Sequence, residues 1–279
     1  MAVEIVTDSL SDITPEFAKE LGVTTVPLYV RFGEEVYRDR VEMSTDEFYH
    51  KLVHGDTFPT TTQPSPGDFL AVYEKLAKKT DKILVVTVSS VLSGTYQSAM
   101  QAKSMMEEKC RIEVIDSRKV AMSLGLIVIK AVKAAKAGAG LDELADLVRK
   151  AIPHSHLVIY FDTLKYLARG GRIGKAQGLM GAMLSIKPIL TIKDGEMAPL
   201  TRVRSLAAGL DYLYNFVPGL AKIEALAVEH TTKPDEADEL VERLSTIIPK
   251  ERIYRSIVSP VLGTHAGPNA LALTVLEAE

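Results

Sequence analysis

The chain has 279 residues, 47% hydrophobic and 25% charged, the proportions of a soluble globular protein of one large domain or two ordinary ones. A formal charge of -3 supplies no basic field, and 6% aromatics without tryptophan supply no stacking platform, so nucleic acid is argued against. The single cysteine, Cys110, excludes an internal disulfide and a multi-cysteine metal site; with no signal-peptide pattern in "MAVEIVTDSL", it fits a reducing cytoplasm.

The first half alternates strand and helix signals. "AVEIV" reads as a strand, and Thr14 before Pro15 then marks a helix start that Gly22 stops. "TTVPLYVRF" is β-rich, and Ser44 with Glu47 forms a capping box ahead of "FYHKLV". "TFPTTTQPSPGDF" concentrates hydroxyls and prolines in a loop before a helix opened by Ser65 and Pro66, with Phe69, Leu70, Tyr73 and Leu76 at helical spacing. "KILVVTV" and "RIEVID" are short apolar runs that suit strands buried on both faces of a parallel sheet. Between them Tyr96, Ala99, Met100 and Met106 mark one helical face. "LDELADLVRKAIP" closes an N-terminal three-layer α/β domain over residues 1–152.

Residues 153–279 read as a C-terminal α+β domain. Strands are expected at "HLVIYFD", "KPILTIKDGEMAPLTRVRS", "KIEALAVEH" and "RIYRSIVSP", and Asp194-Gly195 is a hairpin turn that argues for antiparallel pairing. Helices are expected at "TLKYLA", "GKAQGLMGAMLS", "AAGLDYLYNFVPGL" and "PDEADELVERLSTI". No uncharged apolar stretch approaches the ~18 residues of a membrane helix, so no stable membrane insertion is expected.

Four segments carry candidate chemistry, each with a plainer reading beside it. In "SSVLSGTYQSA" a parallel strand hands over to a helix, where unpaired N–H groups, the helix dipole, the Ser93 and Thr95 hydroxyls and the bare Gly94 could receive an anion. Ordinary capping explains the same residues. Thr61 or Thr62 could give a ligand a hydrogen bond, or simply belong to a polar loop. His265, punctuated by Gly263, Gly267 and Pro268, could aim a ring N–H at an anion or act as a base, or be a surface histidine in a loop. Leu179, Met180, Met183, Leu184 and Ile186 are core or the wall of an irregular apolar space. Arg169 and Arg172 are solvated charges or a docking surface. The set Glu47, His50, His54 lacks H-E-x-x-H order, and His154 and His156 have no acidic or cysteine neighbour, so no metal site is expected. Dinucleotide, P-loop and G-x-S-x-G motifs are absent.

Taken in order, "VTDSLSDI", "TTTQPSPGDF", "SSVLSGTYQSA", "VIDSRKVAMSLG", "DTLKYLARGGRIG", "SIKPIL" and "GTHAGPNALAL" resemble the DegV family of bacterial fatty-acid-binding proteins across residues 6 to 273. Two departures are mild: the family's T-S-Q-P-S is Thr61-Thr62-Gln63-Pro64-Ser65 here, and Asn269 stands where glycine is common. The resemblance implies an α/β domain beside one with a largely antiparallel sheet, and a long-chain fatty acid lying between or within them in an apolar tunnel. Its carboxylate is expected at Thr61, Ser93 and His265, with Thr62, Gly94 and Thr95 as accessory polar or backbone contacts. It implies no cofactor and no chemistry of the chain's own, but an acyl carrier that presents the carboxylate to a separate ATP-using fatty acid kinase subunit for phospholipid synthesis. Arg169, Arg172, Arg202 and Arg204 are the candidate docking residues for that subunit. The competing reading is a serine hydrolase with Ser93 as nucleophile, His265 as base and an acid such as Asp116.

Overall fold

The computed structural model describes residues 2–106, 110–179, 186–220 and 222–278. In chain order the first half runs β1 (Glu4–Asp8), α1 (Pro15–Leu21), β2 (Thr24–Val26), β3 (Tyr29–Phe32), β4 (Glu35–Arg38), α2 (Thr45–His54) and β5 (Thr60–Thr62). It continues through α3 (Pro66–Ala77), β6 (Lys82–Thr87), α4 (Thr95–Met105), β7 (Arg111–Asp116), α5 (Met122–Lys136) and α6 (Leu141–Ala151). The second half contains β8 (Ser155–Tyr160), α7 (Lys165–Arg169), β9 (Lys187–Lys193), β10 (Glu196–Val203) and α8 (Leu206–Phe216). It ends with β11 (Ile223–His230), α9 (Pro234–Leu244), β12 (Ile253–Ile257), α10 (Pro260–Ala266) and β13 (Leu271–Glu277).

Three sheets result. β2-β1-β6-β7 is wholly parallel, with Val85 of β6 opposite Val6 and Val114. Its strands are apolar on both faces because both are covered. Phe69, Tyr73 and Leu76 of α3 and Ala99 and Ala102 of α4 pack with Val6, Ile83 and Val85 on one side. The apolar α5 covers the other. Helix α4 turns Ala99 and Ala102 inward but leaves Met100 exposed, contrary to the expected face. The inward set of small residues lets α4 lie close to the sheet.

The second sheet, β10-β9-β8-β13-β11-β12, is antiparallel except at β11–β12. Asp194 and Gly195, at φ 57° and 86°, make the expected two-residue hairpin between β9 and β10. The sequence reading assigned no strand to β13, which lies at the sheet's centre. Leu271, Leu273 and Val275 face the core under α8 and α9, while Ala272 and Leu276 face the opposite cluster, the period-2 pattern of a buried strand.

Helix α5 contacts both large sheets, which explains why Met122 through Ile129 are all buried. The third sheet, β4-β3-β5, is small and antiparallel, and pairs Thr61 with Val30. Thr60–Thr62 is therefore a strand rather than the expected loop. Among the described residues, no helix is long and apolar enough to cross a membrane.

Candidate functional site

The chain leaves β6 through a corner held on three sides. Ser89 donates its hydroxyl to the Gly195 carbonyl at 2.7 Å, tying the corner to the β9–β10 hairpin. The Ser90 N–H and hydroxyl donate to Asp116 at 3.1 and 2.5 Å. Ser93 Oγ then meets Thr95 Oγ1 at 2.8 Å. Gly94 is the N-cap of α4 and has no side chain to cap it; Ser93 Oγ accepts the Thr95 N–H at 3.4 Å, so part of the corner's hydroxyl chemistry is helix capping. A Cβ on Gly94 would lie 2.5 Å from the Gln63 amide, so glycine here lets the 61–65 segment rest against the corner.

His265 approaches from the other half of the chain. It sits in the last turn of α10, not in a loop: Pro260 takes the first helical position, and Gly267, at φ 73°, ends the helix. Its Nε2 lies 3.0 Å from Thr61 Oγ1 on β5. The residue is half-buried, but Nδ1 is sealed from solvent and has no partner among the described residues. Placing the ring proton on Nε2 leaves no buried N–H bare, so Nε2–H donates to Thr61 and frees the threonine hydroxyl hydrogen to point elsewhere. Burial, and secondarily the Arg172 charge, pushes the imidazole down to about 4, so the ring is neutral at neutral pH. Gly170 makes the approach possible, since a Cβ there would lie 2.1 Å from Nδ1.

Thr61, Thr62, Ser93 and His265 line one cavity, with Gln63 and Arg172 at its polar end and Leu10, Leu28, Val120, Leu167 and Val261 among its apolar walls. Its volume is about 70 Å³. Ser93, Leu92 and Arg172 also border an open cleft of about 340 Å³ with Ser90, Gly94 and Gly171. The cleft therefore adjoins the cavity along Leu92, Ser93 and Arg172. Arg172 is fixed there by donating to the carbonyls of Leu92 (3.2 Å) and Gly170 (2.9 Å).

The structure therefore brings Thr61, Ser93 and His265 to one cavity, with Thr62 beside them. Gly94 borders the cleft, and Thr95 is buried beneath Ser93. The residues suggested as tunnel lining fare differently. Leu179 packs half-buried against the large core, Ile186 is half-buried just before β9, and neither is among the walls of this cavity. Met180, Met183 and Leu184 lie outside the described residues. The apolar walls of this cavity were not singled out in the sequence, because they come singly from separate segments and share no periodicity.

All four candidate docking residues, Arg169, Arg172, Arg202 and Arg204, are exposed, and the Arg169 guanidinium lies 3.9 Å over the Phe58 ring, which stacks on Tyr166. Among the described residues the triad of the hydrolase reading is not assembled: Asp116 accepts from Ser90 and the Arg118 N–H, Nδ1 of His265 has no hydrogen-bond partner, and Ser93 Oγ bonds Thr95.

A family model described as an uncharacterised protein, DegV family, matches residues 2–278. A DegV domain-containing protein of Caldanaerobacter subterraneus is 39% identical over 96% of either chain. Among solved structures, a Thermus thermophilus protein described as a fatty-acid-binding DegV family protein superposes with a TM-score of 0.91 at 30% identity, covering 100% of each chain. DegV of Bacillus subtilis, described as a fatty acid binding protein, gives 0.90 at 30% identity, again over 100% of each.

Proposed function

This chain belongs to the DegV family, and on that premise we propose that it binds a long-chain fatty acid, holds the carboxylate with Thr61, Ser93 and His265, and presents it to a separate ATP-using kinase subunit. The observation that carries the reading is the 3.0 Å contact between Thr61 and His265 in a cavity whose remaining walls are largely apolar. A carboxylate taken into such surroundings needs donors, and leaving it bare is costly. The Thr61 hydroxyl, oriented by Nε2–H, and the Ser93 hydroxyl supply them, and the Arg172 charge at the mouth favours an anion.

The tail would provide most of the affinity, at ~0.8 kcal/mol for each buried CH₂, reduced by the cost of association. Pockets that enclose sizeable ligands measure roughly 300–1,000 Å³. A long acyl chain is therefore accommodated by movement apart of walls such as Leu10, Leu28 and Val261. Neutral hydroxyls leave the carboxylate nucleophilic, and the cleft beside Ser93 gives a kinase access to it. Arg169, Arg172, Arg202 and Arg204 are the docking charges in this reading, and the chain supplies no chemistry of its own.

The test is to denature the purified protein, extract it with organic solvent and examine the extract by mass spectrometry. About one long-chain fatty acid per chain is the expected result. An empty protein that hydrolyses p-nitrophenyl esters, and loses that activity in Ser93→Ala, would overturn the reading.

A further inference from the structure

A second polar cluster, outside the cavity, grips the strap that leads into α10. Three consecutive backbone groups of this strap are each held by a different side chain from the first half of the chain. The Arg40 guanidinium donates through Nη2 to the Ile257 carbonyl. The Tyr49 hydroxyl donates to the Val258 carbonyl at 3.0 Å, and Asp12 Oδ1 accepts the Ser259 N–H at 3.1 Å. Arg40 and Asp12 are themselves 3.5 Å apart, and the Asp12 carbonyl accepts the Ser256 hydroxyl at 2.6 Å.

All three side chains are buried. Both Asp12 and Arg40 hold positive φ, 52° and 58°, a conformation uncommon for non-glycine residues and kept only where the surroundings over-determine it. The next residue after the strap is Pro260, and His265 follows within the same seven-residue helix. Over so short a helix, a shift at the strap reaches His265 directly. Helix α10 also packs on α2, which carries Tyr49, and on α7.

We propose that Arg40, Tyr49 and Asp12 are positioning residues for His265: a three-point clamp on Ile257–Ser259 that sets α10 so that the imidazole reaches Thr61. This rests on the reading of His265 as part of the carboxylate site. The clamp touches no ligand. It turns a short helix of modest intrinsic stability into a fixed support for the head-group residue.

The experiment uses the full chain with Tyr49→Phe, Arg40→Met, His265→Gln and the double variant Tyr49→Phe/His265→Gln. Tyr49→Phe keeps the ring packed on Phe48, 5.1 Å away, and removes only the hydroxyl, so it remains informative if Arg40→Met does not fold. Binding of palmitic acid is compared with that of 1-hexadecanol, whose neutral head does not require the donors. The His265 ring Cε1–H resonance is followed by NMR in the ligand-free protein. Expected are a loss of about tenfold in acid affinity, alcohol affinity within about twofold of the parent, a shifted His265 resonance, and no further loss from Tyr49→Phe once His265 is Gln. Parallel losses for acid and alcohol, or an undiminished Tyr49→Phe effect in the His265→Gln background, would overturn the clamp while leaving the head-group reading standing. An unchanged acid affinity in His265→Gln itself would overturn the head-group reading, and the clamp's role with it.

Discussion

Thr61 and His265 stand 204 residues apart in sequence and 3.0 Å apart in the structure. One comes from a three-residue edge strand and the other from a seven-residue helix, elements too short to be stable alone, so the contact depends on both halves of the chain packing together.

Because the two side chains act through one hydrogen bond, their effects should not add. Thr61→Val and His265→Gln are each expected to weaken fatty-acid binding by roughly 10–100-fold, the loss of one hydrogen bond to a charged group. The double variant should be little worse than either single one. Calorimetric titration with palmitate checks this, and simple addition of the two losses would show that they contact the ligand independently.

Gly170 should be as sensitive as the histidine it faces. A methyl group there would lie 2.1 Å from Nδ1 and 2.7 Å from Cε1 of the ring and 3.2 Å from the Tyr166 carbonyl oxygen, so the imidazole has to shift. Gly170→Ala is expected to destabilise the protein by about 1–3 kcal/mol and to lower fatty-acid affinity. Urea denaturation and binding measured together decide it; an unaltered midpoint and affinity would contradict the packing.

The neutral state of His265 has a pH signature. Its folded value, about 4, lies below the ordinary 6.5, so the unfolded chain takes up a proton between those values that the folded chain refuses. The stability associated with His265 is therefore fully present above pH 6.5 and lost as pH falls toward 4. His230 acts in the same direction, and buried Asp8 and Asp39, both raised to about 7, act in the opposite one. Only the difference between parent and variant isolates the ring. The stability of His265→Gln relative to the parent should rise as pH falls from about 6.5 to 4, and the parent's His265 NMR signal should not titrate between about pH 8 and 5.5.

Arg172 separates holding from presenting. It is exposed, and its charge is screened by salt, so Arg172→Glu is expected to lower fatty-acid affinity by about threefold or less. Under the proposed presenting role, the same change should greatly weaken association with a separate kinase subunit, measured by co-purification. Loss of the bound lipid with partner association intact would reverse the assignment.

Much of the frame was legible because local chemistry and tertiary structure agree. Thr14 caps α1, accepting the Phe17 N–H, Ser65 and Pro66 open α3, and Asp194-Gly195 turns the hairpin; of the box expected at Ser44 and Glu47, Ser44 accepts the Glu47 N–H, while the full box forms at Ser65 and Asp68. The misses share one cause. Strand β5 is made by pairing with β3, helix α10 by the grip on its approach, and β13 by insertion between β8 and β11. None of these is a local property: "TTT" beside prolines reads as loop, and a glycine-bearing segment reads as no helix. Individual site residues could be singled out by their chemistry, but not their convergence. The apolar walls were invisible for the same reason, since Leu10, Leu28, Leu167 and Val261 meet only in space.

The most direct measurement is a crystal structure of the protein with palmitate. The account predicts the carboxylate within hydrogen-bonding distance of Thr61 Oγ1 and Ser93 Oγ, with the imidazole of His265 behind Thr61 and the tail between Leu28, Leu167 and Val261. A ligand whose carboxylate lies elsewhere, with Thr61 and His265 still joined to each other and touching nothing else polar, would contradict it.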